Sequence, residues 1–179
     1  MDVPECSGHP GLIAECAKWA IAHRYSVVAI AECHVKCTKE VPDLLGFKAT
    51  GQATLFEIKM SRSDFKADGS KPFRKKEHTG MGLYRYYVTP YGLISPEELP
   101  EGWGLLWIAE GGRCYLKATS KRFLKRDQGA EAAILVSALR RVGAAAGPLG
   151  PCGVSCKAYK VATKGRTQLY LEGEQLPEE

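Results

Sequence analysis

A single α/β domain built around a mixed sheet is the fold class this chain predicts, on three observations. The 179 residues are close to half apolar, which suits one compact core. Apolar residues recur at helical spacing near the start and again between Ala130 and Ala146, while the stretch between is divided into short runs of β-branched and aromatic residues. A helix start also falls between two of those runs, so helices and strands alternate.

In the first helix, spanning 11–23, Leu12, Ile13, Cys16, Ala17, Ala20 and Ile21 make one stripe, with Pro10 suited to its start. Tyr25 to Ala31 is rich in β-branched residues and predicts a core strand continuing toward Val35. Strands follow at 43–47 and 53–60, joined across a turn at Lys48-Ala-Thr-Gly-Gln52. Ser61-Arg-Ser-Asp64 has the form of a capping box and predicts a helix to about Ala67, ended by the turn residues Asp68-Gly-Ser-Lys-Pro72. Residues 84–88 and 104–109 read as strands, and Glu110-Gly-Gly-Arg113 turns the second back into a strand at 114–117. A helix over 130–146 stops at Gly147-Pro148, and Lys157 to Leu171 predicts a small separate hairpin.

The bulk properties narrow the function classes. No stretch is apolar for long enough to span a bilayer, and Met1-Asp-Val-Pro-Glu-Cys-Ser lacks the basic-then-apolar order of a secretory signal, so a cytoplasmic protein with no membrane partner is expected. Seven scattered cysteines form no dense disulfide framework. The net charge of +5 understates the body of the chain, because Glu172, Glu174, Glu178 and Glu179 crowd an acidic tail. A basic body suits a polyanionic partner or simple solubility.

The chemistry is concentrated on the strand Ala53–Met60. Alternation puts Glu57 and Lys59 on one face and Ile58 on the other, and hairpin pairing with the preceding run brings Asp43 toward Glu57. Phosphodiester hydrolysis needs charge neutralisation at the phosphate and a water made nucleophilic near neutral pH. A magnesium ion held by one or two carboxylates supplies both. Asp43 and Glu57 are the candidate metal ligands and catalytic acids, joined by the backbone carbonyl of Ile58. Lys59 is the candidate for orienting or deprotonating the attacking water. Taken singly, Asp43 is an ordinary turn residue after Pro42, and Glu57 with Lys59 an ordinary ion pair on an open sheet face. The nuclease reading comes from their combination.

Pro42-Asp43 and Glu57-Ile58-Lys59, followed by a capped helix, resemble the PD-(D/E)xK nuclease superfamily. The run Glu57-Ile-Lys-Met-Ser-Arg-Ser-Asp-Phe-Lys-Ala-Asp68, continued by Tyr84-Arg-Tyr-Tyr-Val-Thr-Pro90 and Leu99-Pro-Glu-Gly-Trp-Gly-Leu-Leu-Trp-Ile108, is similar to MmcB-like DNA-repair proteins and related uncharacterised phage proteins over roughly residues 10–120. The resemblance implies a restriction-endonuclease-like core of helix, three strands, helix and strand over 1–127. The C-terminal helix and hairpin of 128–179 would be an extension packed on the same domain. It further implies a magnesium-dependent deoxyribonuclease, with manganese as a substitute ion, acting on DNA in phage or bacterial repair, recombination or processing. Many members of the superfamily pair up to cut both strands, so a homodimer is a possible state. Glu15, on the first helix, is the position implied for a further metal ligand, although it lies off the apolar stripe and equally reads as a solvated charge.

Arg62, Lys66, Lys71, Arg74, Lys75 and Lys76 cluster on and after the second helix and are candidates for phosphate contact, with Arg85 as a further one. Lys117, Lys121, Arg122, Lys125 and Arg126 form a second basic run without an intervening acid. His78 reads as a surface histidine or an aid to a leaving group. At least one of Tyr84, Tyr86 and Tyr87 belongs to the core, with base stacking an alternative for another. Cys33-His34, Cys37, Cys152 and Cys156 could in principle gather a structural zinc, but their spacing favours buried free thiols. The alternative function is a DNA- or protein-binding module of the same fold that does not cut, such as a phage factor interfering with a host enzyme.

Overall fold

Residues 8–75 and 80–145 are described by a computed structural model, with the backbone alone for 142–145. Lys76, His78, Cys152, Cys156 and the hairpin expected over 157–171 lie outside the described residues.

The pattern of burial along the strands decides the architecture. Helix α1 (His9–Ala22) leads into β1 (Val28–Ala31), β2 (Leu44–Phe47) and β3 (Ala53–Ile58), which pair in turn as antiparallel neighbours. Two short helices, α2 (Arg62–Asp68) and α3 (Pro72–Lys75), carry the chain to β4 (Tyr84–Pro90), which runs parallel to β3. β5 (Gly104–Ile108) is parallel to β4, β6 (Cys114–Ala118) returns antiparallel, and α4 (Gln128–Ala145) follows. The strands stand in sequence order in one six-stranded mixed sheet.

Both faces of this sheet are covered. On the first, Leu44, Phe56, Ile58, Tyr86, Val88, Leu106 and Ile108 pack against the stripe of α1. On the second, Leu45, Leu55, Tyr87, Leu105 and Trp103 pack with Phe65 of α2 and with Ala130, Ile134 and Ala138 of α4. A central strand covered on both sides has no solvated face, which is why all six residues of β3 are buried. The strands and long helices fall within a few residues of their predicted bounds. α3 was not expected, because Lys71 to Gly82 reads as a polar loop. It forms where Pro72 can open a helical turn and Arg74 finds buried partners.

Candidate functional site

The β2–β3 ladder sets Leu44 opposite Phe56, so Asp43, just before β2, arrives beside Glu57. Its Oδ2 accepts a hydrogen bond from the Ile58 amide at 2.7 Å. Strand pairing continues one residue past β3, with the Lys59 amide donating to the Val88 carbonyl at 2.9 Å, and this keeps the alternation that puts Glu57 and Lys59 together. The Lys59 ammonium donates to Glu57 Oε2 at 3.1 Å.

The second helix brings a further acid. Ser61 caps α2 by accepting from the Asp64 amide at 3.1 Å, and a single turn later the helix ends on Asp68, whose side chain has no exposed surface. Asp68 Oδ1 lies 3.2 Å from Lys59 Nζ and 2.7 Å from Lys71 Nζ, while Oδ2 accepts from Arg74 Nε and from the Tyr87 hydroxyl, each at 2.8 Å. The Arg74 guanidinium is the hub. It also reaches Glu57 Oε1 at 3.1 Å and pairs with Glu40, whose other oxygen accepts from the Met81 amide at 2.7 Å.

Three carboxylates, those of Glu40, Glu57 and Asp68, thus pair with three cations, Lys59, Lys71 and Arg74, and Asp43 lies close enough for its charge to act on Glu57 and Lys59. Burial, reinforced by Asp43 and Asp68, pushes the Glu57 carboxyl up to about 7 against the pull of Arg74 and Lys59. Burial alone would also raise Asp68, but Arg74, Lys71 and Lys59 outweigh it and hold that carboxyl well below its ordinary range. Lys59 is raised, its buried position outweighed by Glu57, Asp68 and Asp43. The Tyr87 hydroxyl is raised by burial and by the Asp68 charge.

Asp43, Glu57 and Lys59 come together as the strand pattern predicts, but not on an open sheet face. The Glu57 and Lys59 side chains are 3% and 4% exposed. Arg74 is not a surface phosphate contact either. Its side chain is 5% exposed and spent on three acids. Arg85 is likewise withdrawn, because alternation along β4 turns it inward, where it donates to the Gly80 and Gly82 carbonyls and stacks on Phe123. Glu15 does not join Glu57. α1 covers the other sheet face, and the Glu15 carboxylate rests against Gly112 in the β5–β6 turn and accepts from Lys18 at 2.7 Å. Arg62 is exposed but tied to Glu98 and the Leu93 carbonyl, whereas Lys66 and Lys75 project into solvent. Of the cysteines considered for zinc, Cys33 is buried and Cys37 exposed, and no metal-holding group of three is gathered among the described residues.

The donor chemistry of Asp43 and Glu57 suits a hard divalent cation. Asp43 keeps Oδ1 turned toward His9 Nε2, at 3.6 Å, and is partly exposed. Both Glu57 oxygens already face cations, so an ion held there replaces Arg74 or Lys59 as the counter-charge. Glu40, Asp68 and Tyr87 are the partners that sequence reading missed. Asp68 sits in a run that reads as a turn and Tyr87 in one that reads as core. Only the parallel β3–β4 pairing, which sets Glu57 beside Tyr87, gives their polar atoms a common destination.

No family model and no curated protein matches the chain. Among solved structures, a protein of unknown function from Silicibacter pomeroyi superposes with a TM-score of 0.56 at 22% identity, over 79% of this chain and 93% of the other. That likeness is one of fold: the chain has a mixed α/β architecture that also occurs in a bacterial protein with no assigned activity.

Proposed function

We propose that the chain is a metal-dependent DNA nuclease with a restriction-endonuclease-like core, in which Asp43 and Glu57 bind a magnesium or manganese ion and Lys59 serves the attacking water. The observation that carries this reading is the convergence of these three residues from neighbouring strands, with Asp43 on the Ile58 amide at 2.7 Å and Lys59 on Glu57 at 3.1 Å. The order α1, β1–β2–β3, α2, β4, with an antiparallel trio and then a parallel strand, supports the core assignment. When bound, the ion would supply Lewis acidity and a more acidic water.

The chain's own residues do the rest. Asp43, partly exposed at the start of β2, presents a carboxylate oxygen at the edge of the site. Lys59 holds the water and offsets charge developing on the phosphate, its ammonium kept protonated by Glu57, Asp68 and Asp43. Lys66 and Lys75 would contact the DNA backbone from outside the buried network.

The test uses labelled single-stranded, duplex and branched DNA with magnesium or manganese, comparing the natural chain with Asp43→Asn, a variant that breaks none of the buried ion pairs. Metal-dependent cutting lost in the variant is the expected outcome. Cutting that survives Asp43→Asn rejects the assigned site. A second reading, the non-cleaving binding module, is favoured by the buried pairing of Glu57 with Arg74 and Lys59, and DNA binding with no cutting in either metal would select it.

A further inference from the structure

The face of the sheet that carries Glu57 does not end at the ion network. Glu57 lies opposite Tyr87, Tyr87 opposite Leu105, and two residues further along β5 Trp107 lies opposite Tyr115 of β6. Trp107 and Tyr115 therefore stand on the same face as Glu57 and Lys59, toward the strand ends from which Lys59 emerges. At about 4.8 Å per strand they lie roughly 10 and 14 Å across the sheet from β3, within reach of a few nucleotides.

There they form a ladder of rings with Tyr91, which follows β4. Tyr91 packs on Trp107 with centroids 4.9 Å apart and on Tyr115 at 5.5 Å, and the Lys117 ammonium lies over the Trp107 ring at 4.7 Å. The ladder is held from below: the Trp107 indole N–H donates to the Ile94 carbonyl at 2.9 Å, and the Tyr91 amide to the Ile108 carbonyl at 3.0 Å. It is open from above, with Tyr91 60% and Tyr115 37% exposed. Rings on which unpaired bases can stack, fixed beside a cation that can meet a phosphate, are what single-stranded nucleic acid uses. Lys117 is the cation that the second basic run supplies here, since further along it Lys121 pairs with Glu101 and Arg126 with Glu131 at the other end of the sheet, and the adjoining turn carries one charge of each sign, Glu110 and Arg113.

We infer that Tyr91, Trp107, Tyr115 and Lys117 form a stacking platform for the unpaired bases of a single-stranded nucleic acid. This deepens the nuclease reading by naming its substrate class, and it rests on that reading for the nature of the partner. A duplex buries its base faces and cannot use the platform. The rings and the ammonium need no metal, so binding is separable from cutting.

The test is anisotropy of fluorescein-labelled oligothymidylate and of a duplex of equal length, in EDTA at fixed ionic strength. Oligothymidylate should bind more tightly than the duplex. Tyr91→Ala and Tyr115→Ala should each weaken it about tenfold or more, and Tyr91→Phe and Tyr115→Phe, which keep the π face, should bind like the natural chain. Equal affinity for duplex, Ala variants that bind normally, or Phe variants as weak as the Ala variants would each overturn the proposal. Ala variants that bind normally are also what a patch built for an apolar protein partner would give. Normal oligothymidylate binding by a chain that cuts nothing would end the nuclease reading and leave the platform standing. Cutting with binding indifferent to the rings would do the reverse.

Discussion

Arg74 shows how much one side chain can hold when three acids converge on it. Its guanidinium is held charged by Glu57, Glu40 and Asp68 against the cost of its burial. Removing it takes the ion-pair partner from Glu40 and leaves Glu57 and Asp68 to Lys59 and Lys71, so Arg74→Met is expected to cost about 3–5 kcal/mol in urea unfolding, whereas Arg62→Ala, which breaks only the exposed pair with Glu98, should leave the urea midpoint almost unchanged. Equal effects from the two variants would show that the network is not under load. The same residues set a pH dependence with two limbs. Glu57, raised from 4.5 to about 7, contributes stability that is fully present below its unfolded value and is lost as pH rises through 7. Asp68, lowered from 3.8, contributes stability present above that value and lost as pH falls through its folded value. The urea midpoint in EDTA should therefore decline from pH 5 to 7.5 and also below pH 4. Glu57→Gln should flatten the upper limb alone, and an unchanged slope in that variant would contradict the assignment.

At the scale of elements, the strands depend on close approach as well as on apolar content. Gly104 opens β5 opposite Tyr86, and a Cβ there would lie 2.2 Å from the Tyr86 ring and 2.8 Å from the Ala118 carbonyl. Tyr86 is itself packed against Phe56 and Tyr25 and has nowhere to move. Gly104→Ala is expected to cost about 1–3 kcal/mol or more through overpacking, read as a fall in melting temperature, while Gly92→Ala, where a Cβ meets no neighbour, would report only the strain of its positive φ. Matching losses at the two positions would show that contact with Tyr86 is not what Gly104 avoids. α2 behaves as its sequence predicts, from the Ser61 cap to the turn residues after Asp68, because those signals are local. The fate of Arg74 is not local. Within three residues of α3 the chain carries Lys71, Arg74 and Lys75, and nothing in the sequence distinguishes the one that turns inward.

The whole molecule is a sheet that needs both covers. α4 supplies Ala130, Ile134 and Ala138 to the second face, and its Glu131 accepts from the Gly82 amide at 2.8 Å and from Arg126 at 3.0 Å, anchoring the helix to the segment that enters β4. A chain ended at residue 127 uncovers Leu55, Met81 and Leu105 and strands the Gly82 amide, so it should lose the cooperative unfolding transition followed by circular dichroism. A truncated chain that unfolds as sharply as the full one would show that α4 is dispensable to the core. The same two-sided cover explains why Glu57 and Lys59 are buried. They sit on the second face, between α2 and α3 on one side and the Tyr87 strand on the other.

Periodicity and turn chemistry in the sequence determined the two long helices, the strands, the cap at Ser61 and the placing of Asp43, Glu57 and Lys59 on converging positions, because each depends on residues a few places apart. The tertiary structure decided what those residues face. Parallel pairing of β3 with β4, across a connection of more than two dozen residues, delivers Asp68, Arg74 and Tyr87 to the point that Glu40 reaches from the β1–β2 connection, and puts Glu57 and Lys59 in a buried ion network rather than on an open sheet face. It also sends Glu15 to the opposite face and lines up Tyr91, Trp107 and Tyr115. Contacts between residues far apart in the chain follow from sheet order and register, and no local pattern encodes those.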